Sequence, residues 1–380
     1  MTVRVEEGDA RFGRAVERLG RGVDDKAYTA AVLLAARGEE VALHASAGEA
    51  RLASVFDVAS LTKPLVAALF FILDRQGRLS PEGRLADILP AASPDPAFGR
   101  VLFSHLLSHT SGLPAYRRLY AELREAEEKE GRRLRGTAEG HDRIVDAILS
   151  MRLDSEPGAA CVYSDLGYIL LGRAVEIASF GTLDRLLRRE LAEPLGMVDT
   201  GYLPLSSMSE CETGRLVSTG FSGERGREKV GEVDDENAAA MGGVAGHAGV
   251  FSTARDLFLF ARELLRALRG EGGVLTRASA MRMTERAAQP PGCPRTPGWD
   301  TPTPPGGGKS PGAVSQAGRR FSDRSVGHLG YTGCSVWIDL AREATVVLLT
   351  NRVFHGQQND GLKAIRPLIH DDVMEGLFPG

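Results

Sequence analysis

With 380 residues, 43% of them hydrophobic and 25% charged, the chain has the composition of an ordinary globular protein and the length for one large mixed domain or two subdomains. Its net charge of −4 gives no electrostatic reason to hold nucleic acid or an anionic membrane, so neither is expected as a partner. No apolar run reaches the length of a bilayer span, and the charged start "MTVRVEEGDARFGRAVERLG" lacks the apolar stretch of a secretion signal, so a cytoplasmic location is expected.

Residues 9–22 have helical spacing, and "AYTAAVLLAARG" and "EEVALHASAG" then read as two strands joined at Arg37-Gly38. The run from about Ser60 to Gln76 is apolar all round, the pattern of a helix packed on several sides. Helical patterns follow near 101–108, 117–132, 141–151, 165–179 and 182–193, with few strand signals between them. After Val250, "STARDLFLFARELLRAL" predicts a helix with Ser252 or Thr253 as N-cap and Asp256 in its first turn. Residues 287–318 are so rich in proline and glycine that a long irregular loop is expected, shaping access to a cleft with Trp299 as its apolar contact. "CSVWIDL" and "ATVVLLTN" are two strands linked through Ala341 to Glu343, and a last helix is expected near 359–376.

The fold class expected is α/β (α+β): an antiparallel sheet of N- and C-terminal strands, flanked by helices, with an inserted all-helical subdomain. Within a single domain, 1–380, residues of about 1–75 and 240–380 form the α/β part and about 76–239 the helical part. Clefts between such parts are favoured ligand sites.

Cys161, Cys211, Cys293 and Cys334 are widely scattered without CxxC spacing, which predicts buried free thiols rather than a zinc or redox site. The acidic cluster "EVDDENA" (232–238) has no histidine at ligand spacing and reads as a solvated loop. His109 and His247 lie in turn-rich segments and read as loop stabilisers. No metal or organic cofactor is expected.

One lysine interrupts the apolar run "FDVASLTKPLVAALFFILD", three residues after a serine. Positions i and i+3 share a helix face, so Ser60 and Lys63 can bring hydroxyl and amine into contact. Burial lowers an amine's pKa and makes it a candidate acceptor for the serine proton, and Ser60 at the helix start meets free N–H groups that favour developing negative charge. A snorkelling lysine is the alternative for the isolated pair.

"YSDLGYILLG" (163–172) and "GHLGYTG" (327–333) complete a pattern with "SLTK" (60–63) that resembles the serine β-lactamase and penicillin-binding-protein superfamily, nearest to class C β-lactamases, DD-peptidases and esterases of that fold. "LLSHTSGLP", "EPLGMVDTGY" and "GGVAGHAGVFSTARDL" add to the likeness, which runs from about residue 10 to 375. The resemblance implies Ser60 as nucleophile of an acyl-enzyme, Lys63 as its activating partner and Tyr163 as proton shuttle, its pKa lowered by the Lys63 ammonium. It implies an oxyanion hole from the backbone N–H groups of Ser60 and Tyr331. It places Asp165, His328, Leu329 and Gly330 at the substrate, where a side chain on Gly330 would crowd a ligand along the strand edge.

Two departures bear on substrate. Asp165 stands where the family's second motif ends in asparagine; a carboxylate only accepts hydrogen bonds and holds Lys63 charged, which makes Tyr163 the better general base. His328-Leu329-Gly330 stands for Lys-Thr-Gly, replacing a fixed cation by a group largely neutral at pH 7 and removing a hydroxyl. Both penicillins and D-alanyl peptides carry the carboxylate that such groups bind. The expected activity is therefore hydrolysis of small esters or amides, with β-lactamase or D-alanyl-D-alanine carboxypeptidase activity as the alternative and a catalytically silent binding scaffold as the alternative of another class.

Overall fold

A computed structural model describes residues 3–90, 95–203, 213–222, 226–303 and 315–379. The main sheet contains β1 (Val3–Glu7), β2 (Ala30–Arg37), β3 (Glu40–Gly48), β4 (Arg295–Thr296), β5 (Trp299–Asp300), β6 (Ser325–Leu329), β7 (Ser335–Asp339) and β8 (Ala344–Thr350). Their order across the sheet is β1-β3-β2-β8-β7-β6-β5-β4, with antiparallel neighbours throughout. The expected antiparallel sheet of N- and C-terminal strands is thus present, its two halves joined where Leu34 of β2 faces Val347 of β8.

Strands β2 and β8 are almost wholly apolar because both faces of the sheet are covered. Alternate residues point to opposite sides. Ala30, Val32, Leu34, Val347 and Leu349 join a core that includes α2 (Thr62–Arg75), α3 (Ala138–Leu149), α4 (Asp165–Ser179) and α5 (Ala254–Arg269). Ala31, Leu33, Ala35, Val346 and Leu348 face α1 (Gly13–Asp24) and α6 (Gly361–Leu377). The same continuous core therefore runs from the inner face of the sheet into the helices of the middle segment. Among the described residues no single helix is long and apolar enough to cross a membrane.

Helix ends follow local chemistry. Thr253 caps α5 by accepting the Asp256 N–H at 3.2 Å, and Ser164 caps α4 by accepting the Gly167 N–H at 3.3 Å. Besides the β4–β5 hairpin, two sheet strands escape the sequence pattern. β1 is an exposed edge with charged residues between its valines. β6 has Gly327 at its centre, where a Cβ would lie 2.2 Å from the Trp337 ring, so an indole fills the place a strand side chain would mark in sequence. The expected loop at 287–318 contains the β4–β5 hairpin; residues 304–314 of it, like Cys211, lie outside the described residues.

Candidate active site

The turn before α2 sets the position of Ser60. Ala59 takes a left-handed φ of 48°, which costs a residue with a Cβ about 1–2 kcal/mol. Asp57 holds that turn: its Oδ1 accepts the Ala59 N–H at 2.8 Å and its Oδ2 accepts the Asp234 N–H at 2.7 Å. Burial of the Asp57 carboxyl pushes its pKa up to about 7. Sequence reasoning passed over Asp57, although the signal is the one that exposed Lys63: a single charge in an apolar stretch.

Lys63 is fully buried and its Nζ donates three ways, to Ser60 Oγ at 3.0 Å, to Asp165 Oδ1 at 2.7 Å and to the His247 carbonyl at 3.0 Å. Three acceptors match the three hydrogens of an ammonium, whereas a neutral amine has only two. Burial pushes its pKa down, but the Asp165 carboxylate and Tyr163 more than offset this, and the net shift is upward. The snorkelling alternative is excluded by this geometry. Asp165 is the first residue of α4, so its carboxylate also meets the positive end of that helix.

Tyr163, half-buried two residues before α4, lies with its ring 4.8 Å from Lys63 Nζ. Lys63 and Ser60 both lower the pKa of its phenol, but burial raises it more, with Asp165 adding to the rise. The expectation of a net lowering is therefore corrected: in the free protein Tyr163 is a phenol, because desolvation of the phenolate outweighs the nearby ammonium. His109 packs on the same ring at 4.5 Å and accepts the Ser164 N–H through Nδ1 at 3.0 Å. It braces Tyr163, and burial, then Arg295 and Lys63, keep its pKa well below the usual range.

Arg295, from β4, brings its guanidinium 4.9 Å from the Tyr163 ring and forms an ion pair with Asp300. No sequence signal separated it from the proline-rich residues around it. His328 is buried against Tyr163 with ring centroids 5.9 Å apart, and its Nδ1 contacts the Leu329 carbonyl at 2.9 Å. Burial first, then Lys63 and Arg295, hold His328 neutral.

Leu329 is half-buried at the end of β6, and Gly330 follows. A Cβ on Gly330 would stand 2.5 Å from the Val58 carbonyl, so the glycine is needed for contact with the Ser60 turn rather than for a ligand's room. This contact, with Thr332 Oγ1 donating to the Asp57 carbonyl at 2.8 Å, sets the segment that carries Tyr331 against the Ser60 turn. Among the described residues neither the Ser60 N–H nor the Tyr331 N–H donates to a protein acceptor, which leaves both open. The Tyr331 side chain is 52% exposed.

Two expectations are corrected. Trp299 does not face a cleft: only 2% exposed, it stacks on Phe260 of α5 at 5.9 Å, because its large apolar area is worth more in the core. The acidic cluster is not a solvated loop either. Glu232 and Asp234 are buried and paired with Arg227 and Lys229, and Asp235 accepts from the Ala238 N–H and contacts His247 Nε2, each at 2.8 Å. His247 thus links the cluster to Lys63 through its own carbonyl.

The Beta-lactamase family profile matches residues 14–367, and the chain belongs to that family. It is 30% identical over 320 residues to the N-acetylmuramyl-L-alanine amidase of Bacillus subtilis (strain 168), spanning 79% of this chain and 68% of the relative. Among solved structures, EstCE1, described as a hydrolase with promiscuous acyltransferase activity, superposes with a TM-score of 0.69 at 20% identity over 95% of this chain and 98% of its own. Simvastatin synthase from Aspergillus terreus superposes with a TM-score of 0.70 at 17% identity over 98% and 100%. Family and fold together define a serine hydrolase of the β-lactamase fold.

Proposed function

We propose that the protein hydrolyses small neutral esters, and more slowly amides, through an acyl-enzyme on Ser60. The observation that carries this reading is the threefold coordination of Lys63, which leaves its nitrogen no lone pair for the Ser60 proton. Lys63 instead orients Ser60 Oγ, and the proton passes to the phenolate form of Tyr163. Ser60 Oγ then bonds the substrate carbonyl carbon, whose oxygen takes negative charge between the N–H groups of Ser60 and Tyr331. Tyr163 returns the proton to the leaving alkoxide. Water repeats the cycle and frees the acid.

The preference for a neutral substrate rests on the charges beside Tyr163. His328 is neutral, and the Arg295 charge is matched by Asp300, so neither offers an open cation to a carboxylate. The amidase name of the Bacillus relative favours a second reading, cleavage of a cell-wall amide.

A fluorophosphonate probe should label the wild type and not Ser60→Ala. Turnover should then be compared across p-nitrophenyl esters, a chromogenic cephalosporin and a peptide ending in D-alanyl-D-alanine. Strong cephalosporin or peptide turnover with negligible ester cleavage would replace the ester reading, and a folded wild type that takes no label would favour a silent scaffold.

A further inference from the structure

The turn between β6 and β7 carries the open Tyr331 N–H, and two buried arginines hold it. The turn closes on itself, with the Gly330 carbonyl accepting the Gly333 N–H at 3.0 Å. That carbonyl belongs to the same amide as the Tyr331 N–H, so the bond both fixes the amide plane and polarises the N–H as a donor. Two further carbonyls of the turn each meet a guanidinium. Arg352 donates to the Tyr331 carbonyl through Nε at 3.2 Å and Nη2 at 2.8 Å, while its Nη1 donates to the Asn359 and Gln357 carbonyls at 2.7 and 3.1 Å. Arg366 of α6 donates through Nη2 to the Gly333 carbonyl at 2.9 Å and through Nη1 to Gln316 Oε1 at 3.1 Å.

The support under this turn is rigid. Arg352 comes just after β8, next to Asn351, whose Oδ1 accepts the Thr29 and Ala30 N–H groups at 3.0 and 2.9 Å where β2 begins. A Cβ on Gly333 would lie 2.9 Å from Arg352 Cβ and 2.2 Å from Thr350 Oγ1, so the turn rests directly on that strand end.

All these guanidinium bonds end on carbonyl oxygens, and among the described residues neither arginine pairs with a carboxylate. Burying a charge without a counter-charge is costly, and a neutral side-chain amide could hold a carbonyl without that cost. Burial pushes the pKa of Arg366 down to about 10, with Cys334 opposing the fall and Arg352 adding to it. Arg366 therefore remains a cation at neutral pH. Positive charge beside an open N–H favours an oxygen that is gaining negative charge over the neutral ester from which it forms.

We propose that Arg352 and Arg366 are positioning residues of the oxyanion site, fixing the Tyr331 N–H through the carbonyls of its turn and supplying positive potential that counts in the transition state. The assignment rests on the ester chemistry of Ser60 proposed above. Both arginines act through the turn rather than by contact with substrate.

The test uses the full chain and the variants Arg352→Met, Arg352→Lys, Arg366→Met and Arg366→Lys. Active sites are counted by fluorophosphonate labelling of Ser60 to completion, and turnover of p-nitrophenyl acetate is measured per labelled site. Inhibition by phenylboronic acid, which forms a tetrahedral adduct on serine, reports how well an oxyanion mimic is held. In Arg352→Met, kcat should fall about 10- to 100-fold with KM changed by less than about threefold, and phenylboronic acid should lose affinity by a factor similar to that in kcat. Arg352→Lys keeps the charge but not the fork and should recover part of the loss. Arg366→Met should show the same split with a smaller fall. The lysine variants carry the test should a methionine variant not fold, since kcat and phenylboronic acid affinity should still drop together in them. A purely structural role would lower the labelled fraction and the melting temperature while leaving kcat per labelled site and phenylboronic acid affinity in place. Either that result or a raised KM at unchanged kcat would overturn the assignment while the ester reading stands. A folded wild type that takes no label at Ser60 would remove the ester reading and the assignment with it.

Discussion

The start of α2 and the end of β6 meet at the same site but are built differently. At the helix start, Lys63 is wholly buried and every donor it has is used inside the protein. At the strand end, Leu329 is half-buried, Tyr331 is exposed, and its backbone N–H remains open among the described residues. The first region fixes charges in place and the second presents a surface to be met. Chemistry that must be set up in advance belongs where water cannot compete, whereas selection among substrates requires groups that can be reached.

The sharpest way to break this contrast is Lys63→Met, which keeps bulk and removes charge. Acylation should fall by about 10³-fold or more, since Ser60 loses its orienting donor. Stability to urea should also fall, by about 3–5 kcal/mol, because Asp165 is left without the partner that compensates its desolvation. Adding Asp165→Asn should return most of the stability and none of the activity. Recovery of activity in the double variant would show that Lys63 serves only to neutralise Asp165.

Gly330→Ala tests the join between the regions. A methyl group 2.5 Å from the Val58 carbonyl meets backbone that cannot rotate away, so the β6 end must shift from the Ser60 turn. The expected cost is about 1–3 kcal/mol in unfolding free energy, with a larger loss of kcat than of substrate affinity. An unchanged kcat would mean that the Tyr331 N–H is not part of the oxyanion site.

Asp165→Asn alone tests the charge arrangement through pH. In the wild type Asp165 raises the pKa of both Lys63 and Tyr163. If the reactive form carries a Tyr163 phenolate, ester hydrolysis climbs with pH through the neutral range and toward the phenol's raised pKa. Removing the carboxylate charge lowers that pKa, so the rising limb of kcat/KM should move to lower pH by about one unit. A limb that moves to higher pH, or stays in place, would remove Tyr163 from the role of base.

How much of this was legible in the sequence follows from the range of the interactions. Ser60 and Lys63 lie within one helical turn, and α4 spans the expected 165–179, so their order could be read along the chain. Asp165 as partner of Lys63 came from the family resemblance, and the structure brings the two to 2.7 Å. The approach of Arg295 to Tyr163 depends on segments far apart in sequence, and no local period marks it. Trp299 was misplaced because an aromatic residue in a proline-rich stretch reads as surface, whereas the hairpin around it docks into the core. The sign of the Tyr163 shift was missed for a related reason: the nearby ammonium could be named from sequence, but the depth of burial opposing it could not.

The smallest expected effect is at the exposed end of the comparison. In Tyr331→Ala the N–H stays in place, since the Tyr331 carbonyl still accepts from Arg352 Nε at 3.2 Å and Nη2 at 2.8 Å and holds the backbone. What is lost is the ring under the Arg352 guanidinium, 4.8 Å from its centroid, a contact worth about 0.5–1 kcal/mol at an exposed site. Turnover of a short p-nitrophenyl ester should therefore change by less than about fivefold, while bulkier acyl groups should be accepted more readily as the rim opens. A loss of kcat for the short ester that matched Gly330→Ala would show that the side chain, and not the backbone alone, carries chemistry at this rim.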